Sequence, residues 1–199
     1  MNKYDIGMKV VTRTGEEGIL LEKIDDTYFV RINGEEHMRM LELGDFQQRG
    51  FEVVPTEFMK HGKVETILPV RGDSRSAGYD FYSKETVIIQ PHDSHLFWTD
   101  VCAYMQDDEV LMIYVRSSIG VKKGLTLKNT VGVIDASYYA NPTNHGNVGV
   151  CLYNNSDVPV LIETGERIAQ GVFQHYLVAD NDTFLSDSRT GGFGSSGQK

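Results

Sequence analysis

Short segments of alternating apolar and polar residues recur along most of this chain, and clusters of Gly, Pro, Asn and Asp separate them. Such alternation is typical of strands that bury one face, and such clusters are typical of turns. No stretch has sustained helical periodicity, although a short helical turn fits between Ser117 and Lys123. The pattern predicts an all-β main domain, a distorted jelly-roll or β-barrel rather than an immunoglobulin-type sandwich. Its predicted strands are Phe51–Val54, Thr86–Gln90, His95–Tyr104, Val110–Val115, Leu125–Ile134, Val148–Tyr153, Val158–Ile162 and Arg167–Leu177.

The first 48 residues form a separate part of the sequence, in which turn signals break short strand-like runs. Asn33-Gly34 between two such runs predicts a tight two-residue hairpin turn. We interpret residues 1–48 as a small accessory β module of four or five strands, similar to an SH3-like barrel. It is either a docking module for a protein partner of unknown identity or an appended unit that packs on the main domain or acts as its spacer. A boundary within Gly44–Gly50 leaves residues 49–180 as the main domain and 181–199 as a C-terminal segment.

The chain of 199 residues carries a net charge of −9. Binding to nucleic-acid backbones depends on clustered Lys and Arg, so this charge argues against a nucleic-acid partner. An anionic substrate would need a local basic or amide-rich pocket and a divalent cation. No apolar run is long enough to span a membrane, and Met1–Asp5 does not resemble a signal sequence, so a cytoplasmic location is expected. Cys102 and Cys151 lie in apolar strands and are expected to be buried reduced thiols.

Asp135 lies near the tip of a predicted long hairpin that runs from Leu125 to Asn154. Asp is depleted from strand interiors and costly to bury without a partner, so its carboxylate should meet water or a ligand there. Asn129 is expected to share a strand face with Val133, and Tyr138 follows just beyond the tip. A carboxylate, an amide and an aromatic ring at one hairpin mouth suit the binding of a polar ring. The alternative is that Asp135 is an ordinary turn residue that hydrogen-bonds its own backbone.

Four other segments place reactive or polar groups at the ends of predicted strands. Residues 76–81 (Ser-Ala-Gly-Tyr-Asp-Phe) present an Asp, and residues 115–120 (Val-Arg-Ser-Ser-Ile-Gly) present a guanidinium and two hydroxyls that suit phosphate oxygens. Residues 165–170 (Gly-Glu-Arg-Ile-Ala-Gln) form a tight turn into a strand. Residues 189–197 (Arg-Thr-Gly-Gly-Phe-Gly-Ser-Ser-Gly) suit a flexible lid over a phosphorylated ligand. In the same order, the plainer alternatives for the four segments are the start of a strand, a turn capped by Ser, a hairpin with an exposed Gln and a frayed C-terminal tail.

In this order, the five segments resemble the five motifs of the trimeric dUTPase family, the dUTP diphosphatases. The resemblance covers about residues 51 to 199 and includes Ala-Gly-Tyr-Asp, Arg-Ser-Ser, Gly-Val-Ile-Asp-x-x-Tyr, Gly-Glu-Arg-Ile-Ala-Gln and Gly-Gly-Phe-Gly-Ser-Ser-Gly. It implies a jelly-roll-like subunit and a homotrimer with active sites at the subunit interfaces, each closed by the C-terminal tail of a neighbour. It also implies Mg²⁺-assisted hydrolysis of dUTP to dUMP and pyrophosphate, which supplies dUMP and limits uracil in DNA.

The resemblance further implies roles for the matching residues. Asp135 would activate the water that attacks the α-phosphorus, and Arg116 would hold the Asp135 carboxylate in place. Asp80 would reach Mg²⁺ through water, while the triphosphate chelates the ion. Further contacts are implied to phosphate oxygens (Ser117, Ser118 and Gln170), to the uracil edge (Asn129 and the main chain of Val133 and Ile134), to the deoxyribose (Tyr138), and, from the tail, to the uracil ring (Phe193) and the outer phosphates (Arg189, Ser195 and Ser196).

The sequence departs from the commonest family pattern in three places. Ala140–His145 is an insertion in the hairpin tip, Ser118 stands where Gly is frequent, and Arg189 is one residue closer to Phe193 than usual. The related dCTP deaminases resemble this chain in the Arg-Ser-Ser segment, but they have a catalytic Glu on the strand after the hairpin, where Gly146–Leu152 contains no acid. A second alternative is a regulatory binding protein that uses the nucleotide as a switch and residues 1–48 as its docking surface.

Overall fold

The computed structural model describes residues 4–42, 45–46, 48–62 and 64–183. The chain divides into two compact units, and the division falls between Gly50 and Phe51. Each unit has its own group of buried apolar side chains. Within the described ranges, no helix is long and apolar enough to cross a membrane.

The first unit contains a four-stranded antiparallel sheet in the order β1-β2-β3-β4. Its strands are β1 (Lys9–Val11), β2 (Glu17–Ile24), β3 (Thr27–Ile32) and β4 (Arg39–Glu42). After β4 the chain returns to β1, where Phe46 forms a bridge with Thr12 and the Arg13 N–H donates to the Asp45 carbonyl at 2.7 Å. This return partly closes the sheet in the manner of a small barrel, over the fully buried ring of Phe46.

A tight turn forms at Asn33-Gly34, where the Glu35 N–H donates to the Ile32 carbonyl at 3.1 Å, but the prediction of a two-residue hairpin there is wrong. The longer loop 33–38 joins β3 to β4, and the two-residue hairpin connection lies instead between β2 and β3, where Asp25 has a φ of 51°. Arg39, the first residue of β4, forms an ion pair with Glu35 inside the loop. This pair gives the longer connection a contact of its own, which a turn prediction from the Asn-Gly dipeptide does not take into account.

The second unit is built almost entirely from strands, which confirms the all-β prediction. The predicted helical turn is also confirmed, as a π-helical turn at Ser118–Lys122, and 3₁₀ turns occupy Thr56–Phe58 and Ala136–Tyr138. The strands are β5 (Gly50–Val53), β6 (Val70–Arg71), β7 (Tyr79–Tyr82), β8 (Val87–Ile89), β9 (Ser94–Trp98), β10 (Val101–Tyr104), β11 (Glu109–Val115), β12 (Leu125–Leu127), β13 (Gly132–Asp135), β14 (Gly149–Asn154), β15 (Val160–Ile162) and β16 (Arg167–His175).

In the described residues, these strands form a five-stranded sheet (β13-β11-β16-β7-β6), a three-stranded sheet (β12-β14-β9) and the pairs β10-β5 and β15-β8. Both larger sheets contribute side chains to one apolar core, for example Phe81 and Leu111 from the first and Phe97 and Leu152 from the second, all fully buried. Sheets that share a core in this way form the predicted jelly-roll-like arrangement. The five-stranded sheet carries most of the residues of the candidate site.

Two of the predicted strands are each split by a residue with positive φ. Thr130 (φ 64°) separates β12 from β13, and Asp100 (φ 56°) lies between β9 and β10. β12 pairs with β14, whereas β13 pairs with β11 in the other sheet. The prediction of one long hairpin from Leu125 to Asn154 is therefore wrong, because the chain changes sheets before it reaches Asp135.

Candidate active site

Asp80 lies in β7, and its side chain, only 8% exposed, is ion-paired with two arginines. Arg116 Nε is 2.7 Å from Asp80 Oδ1, and Arg167 Nη1 is 3.2 Å from Asp80 Oδ2. The strand register explains this contact: Asp80 lies opposite Gln170 on β16, and β16 pairs with β11, which leads into Arg116. The two guanidinium partners compensate the negative charge of the buried carboxylate, and the carboxylate in turn fixes the position of both guanidinium groups. Residues from three separate sequence segments thus meet at one place.

Gly78 leaves the space that the Gln170 side chain occupies. A Cβ atom at position 78 would lie 2.4 Å from Gln170 Oε1 and 3.1 Å from Gln170 Cβ. No methyl group can be accommodated at that distance without moving the glutamine. The glycine of the Ala-Gly-Tyr-Asp segment is therefore needed for space, and it lets Gln170 lie beside the strand that carries Asp80.

The π-helical turn after Arg116 presents two hydroxyl groups. Ser117 and Ser118, with Val121 and Lys122, line a surface depression of about 280 Å³. Hydroxyl and ammonium donors in an open depression suit an anionic oxygen ligand. The two serines were predicted from the sequence, whereas Lys122 was not singled out because a lysine in a surface turn gives no distinctive signal.

Asp135 is the last residue of β13, opposite Val110 of β11, and it is exposed to solvent. It precedes the 3₁₀ turn Ala136–Tyr138 and has an extended backbone (φ −74°, ψ 154°). Within the described residues, its side chain makes no capping hydrogen bond to this turn. Asp135 therefore does not cap the turn that follows it, and its role as a site residue stays a prediction.

Arg116 and Asp135 of one chain lie near opposite ends of β11. Asp135 is opposite Val110, and Arg116 follows the last residue of the strand. At about 3.3 Å per residue, the six steps from Val110 to Arg116 span roughly 20 Å. Within a single chain Arg116 pairs with Asp80 and does not reach Asp135, so the prediction that Arg116 holds the Asp135 carboxylate stays a prediction for a site shared between chains.

The three residues expected to contact a base have different environments. Asn129 is exposed in the turn between β12 and β13, and not on a strand face shared with Val133 as predicted, because Thr130 interrupts the strand. Val133 is 57% exposed, whereas Ile134 is 7% exposed and packs in the core. The main chain of β13 is also an edge of the five-stranded sheet. An edge strand has backbone groups that can pair with a ligand.

Tyr138 is almost fully buried, with 3% of its surface exposed. Its hydroxyl donates to the Asn147 carbonyl at 2.9 Å and accepts a hydrogen bond from the Asn144 amide at 2.7 Å. These contacts hold the ring within the core and the inserted segment. The expected stacking of this ring on a sugar stays a prediction, and it would have to use the small exposed part of the ring.

Lys84 and Asp100 form a buried ion pair that the sequence does not reveal. Lys84 Nζ is 3.3 Å from Asp100 Oδ2, and the two side chains are 4% and 0% exposed. Burial opposes ionisation of Asp100, but hydrogen bonds from the Lys60 N–H (2.7 Å), the Asn147 amide (3.0 Å) and the His61 N–H (3.0 Å) keep the pKa of Asp100 below its ordinary value. Lys84 precedes a predicted strand and Asp100 lies inside one, and charged residues are rarely buried, so the burial of this pair could not be predicted from the sequence.

The four tail residues of the predicted site, Arg189, Phe193, Ser195 and Ser196, lie outside the described residues. The two cysteines are free thiols, and Cys102 is buried whereas Cys151 is half-buried.

Comparison with known proteins identifies the family. The dUTPase family model matches residues 65–197. The deoxyuridine 5'-triphosphate nucleotidohydrolase of Lactococcus lactis subsp. lactis is 49% identical over 150 residues, which cover 75% of this chain and 97% of that protein. The protein of the same name from Corynebacterium diphtheriae is 38% identical over 138 residues, which cover 67% of this chain and 87% of that protein.

The fold agrees with this sequence similarity. The crystal structure of dUTPase from Streptococcus mutans superposes with a TM-score of 0.59 at 43% identity, and the match covers 66% of this chain and 99% of that chain. The resemblance inferred from five short motifs is thereby confirmed. The chain belongs to the dUTPase family.

Proposed function

We propose that this chain is a dUTP diphosphatase, which hydrolyses dUTP to dUMP and pyrophosphate in the cytoplasm. Membership of the dUTPase family supports this activity. The observation that carries the proposal is the grouping of Arg116 and Arg167 on Asp80, beside Gln170 and the turn that begins at Ser117. Guanidinium, amide and hydroxyl donors at one end of a sheet suit a row of phosphate groups.

Asp135 is proposed as the general base of the reaction. Its carboxylate lies at an exposed strand end, where it can meet water. A carboxylate that orients a water molecule and accepts its proton promotes attack on the α-phosphorus. Phosphoryl transfer depends mainly on placement and charge neutralisation, so one oriented base is sufficient when the phosphates are held elsewhere.

The separation of Asp135 from Arg116 supports a site made by more than one chain. One chain cannot bring these groups to the same phosphate, since β11 separates them. In the proposed homotrimer, Arg116 of one chain and Asp135 of its neighbour share a site. Mixed assemblies of Arg116→Ala and Asp135→Asn chains should then recover up to about a quarter of the wild-type turnover, because some sites combine the two intact residues. Activity no higher than that of either variant alone would contradict a shared site.

Mg²⁺ is proposed as the metal ion of the reaction. A triphosphate brings about four negative charges to an acidic protein, and Mg²⁺ neutralises part of that charge and prefers oxygen ligands. Among the described residues, no group of three or more His, Cys, Asp or Glu side chains is arranged to hold a metal. Both oxygens of Asp80 are engaged by arginines. These donors fit an ion held mainly by phosphates and water, which Asp80 would contact only through water.

Contacts to the uracil ring and contacts from the C-terminal tail complete the proposed site. Asn129 and the exposed edge of β13 are proposed to read the uracil edge, and Tyr138 to limit the space beside the sugar. A pocket that hydrogen-bonds the uracil edge leaves buried polar groups unpaired when donors and acceptors are exchanged on that edge, so dCTP should be strongly rejected. The tail residues Phe193, Arg189, Ser195 and Ser196 are proposed to cover the base and the outer phosphates.

One assay tests the activity directly. Purified protein with Mg²⁺ is given dUTP, dCTP and UTP in parallel, and pyrophosphate and ammonia are measured. The proposal predicts pyrophosphate from dUTP and little from the other two. Ammonia from dCTP would indicate a deaminase, and dUTP binding without turnover would favour a nucleotide-switched regulatory protein. Either result would overturn the proposal.

A further inference from the structure

The insertion Ala140–His145 is an ordered part of the described chain, held by buried side-chain hydrogen bonds. The Asn141 amide donates to the Tyr138 carbonyl at 2.8 Å and to Asn144 Oδ1 at 2.7 Å. Asn141 and Asn144 are 4% and 7% exposed. Hydrogen-bonded buried amides hold one backbone conformation, because any other arrangement would leave them unpaired.

Tyr139 joins this insertion to a distant strand. Its hydroxyl donates to Glu52 Oε2 in β5 at 2.6 Å, across a sequence separation of 87 residues. A hydrogen bond to a carboxylate is stronger than one between neutral groups. Asp135 and Tyr139 flank the 3₁₀ turn Ala136–Tyr138, and the Tyr139 N–H donates to the Ala136 carbonyl at 3.3 Å. The Glu52 contact therefore fixes the far end of the turn that carries Asp135.

Ring contacts reinforce the position of Tyr139. Its ring lies 6.1 Å from the Tyr104 ring at 66° and 6.0 Å from the His145 ring at 63°, and the His145 ring stacks on Phe58 at 5.3 Å. These edge-to-face arrangements are favourable for aromatic pairs. The ring is thus held on one side by β10 and on the other by the end of the insertion.

The hydroxyl of Tyr139 remains a proton donor over a wide pH range. Burial and the hydrogen bond to Glu52 both raise the pKa of Tyr139. The neighbouring Cys102 thiol donates to the Glu52 carbonyl at 3.6 Å, and burial followed by the Glu52 charge raises the pKa of Cys102 to about 12. The Tyr139 hydroxyl therefore donates to the Glu52 carboxylate, and the Cys102 thiol donates to the main chain of the same residue.

We propose that Tyr139 and Glu52 are positioning residues for Asp135: their hydrogen bond sets the orientation of the 136–138 turn and hence of the Asp135 carboxylate. This inference rests on the proposed function of Asp135. Neither residue needs to touch the substrate. The insertion Ala140–His145 then has a role, because its His145 ring packs against the Tyr139 ring, which anchors the turn after Asp135 to β5.

The test compares Tyr139→Phe, Glu52→Leu and Glu52→Gln in the full chain, with dUTP turnover as the readout. Tyr139→Phe and Glu52→Leu each remove the hydrogen bond and should lower kcat about tenfold, with KM for dUTP changed much less. Glu52→Gln keeps an acceptor oxygen and should retain most of the activity. The double variant Tyr139→Phe with Glu52→Leu should be no slower than either single variant, because both remove the same contact.

Tyr153→Phe is a matched control, because it removes a hydroxyl that has no hydrogen bond in the described part of the chain. It should leave kcat unchanged. The acid limb of the kcat–pH profile, which reports ionisation of the general base, should move in Tyr139→Phe and not in Tyr153→Phe. If the wild-type protein turns over dUTP and Tyr139→Phe has an unchanged kcat and pH profile, this inference alone is overturned. If the wild-type protein does not turn over dUTP, the proposed function is overturned.

Discussion

Replacing Asp80 with Asn tests whether this carboxylate holds the two arginines together. Asparagine keeps the size and one acceptor oxygen of the side chain but removes its charge. Arg116, at 2.7 Å and with 24% of its side chain exposed, would lose a charge-assisted hydrogen bond. Arg167, at 3.2 Å and 49% exposed, would lose a weaker pair and could turn towards water.

The size of the effect follows from these exposures. A hydrogen bond to a charged group contributes about 1.5–3 kcal/mol, and a largely exposed ion pair contributes about 0–1 kcal/mol. The retained amide oxygen offsets part of the loss, so we expect Asp80→Asn to lower the free energy of unfolding by about 2 kcal/mol. With a urea m value of about 2 kcal/mol/M, the unfolding midpoint should fall by about 1 M.

Urea unfolding followed by the fluorescence of Trp98, the single tryptophan of the chain, measures this change in the second unit. Protein concentration must be the same for all variants, because assembly adds to stability. Asp157→Asn is the matched control: Asp157 is 96% exposed and pairs only loosely with His92, so the midpoint should hardly change. Equal midpoints for Asp80→Asn and wild type would refute the account of Asp80 as an anchor for Arg116.

Three further predictions concern other parts of the chain. Gly78→Ala must displace Gln170, so kcat/KM for dUTP should fall on the order of 10- to 100-fold in steady-state assays, whereas Gly62→Ala, in open space, should have no effect. Deleting residues 1–48 should leave dUTP turnover within about twofold, because the second unit has its own core; lost turnover in a folded truncation would contradict this. Burial raises the pKa of Cys102 to about 12, so between pH 9 and 12 the native thiol stays protonated whereas the thiol of the unfolded chain ionises. The free energy of unfolding measured by urea titration should therefore fall as the pH rises from 9 towards 12, and it should fall less steeply in Cys102→Ser.

Strand positions could be predicted because alternation and turn residues are local signals. The turn at Ser118–Lys122 and strands such as β11 follow the predicted pattern closely. The breaks at Asp100 and Thr130 could not be predicted, since positive φ at a residue other than glycine depends on the surrounding structure. Thr130 in particular is a β-branched residue of the kind that favours a continuous strand.

The candidate site was predictable in its members but not in its contacts. Asp80, Arg116 and Gln170 were each identified from short motifs, yet their grouping depends on the registers of β7, β16 and β11, which join residues far apart in sequence. The Glu52–Tyr139 hydrogen bond is non-local for the same reason. Sequence patterns specify which face of a strand is buried, but they do not specify which distant strand lies beside it.

The proposed catalytic role of Asp135 is tested most directly by dUTP turnover of the Asp135→Asn variant, measured together with the Kd for a non-hydrolysable dUTP analogue. Removal of a general base should lower kcat by about 100- to 10,000-fold, because the amide cannot accept the proton of the attacking water. The Kd should change little, since the proposed phosphate donors belong to other residues. A variant that retains kcat within about threefold of wild type would contradict the account, because a general base contributes far more than that.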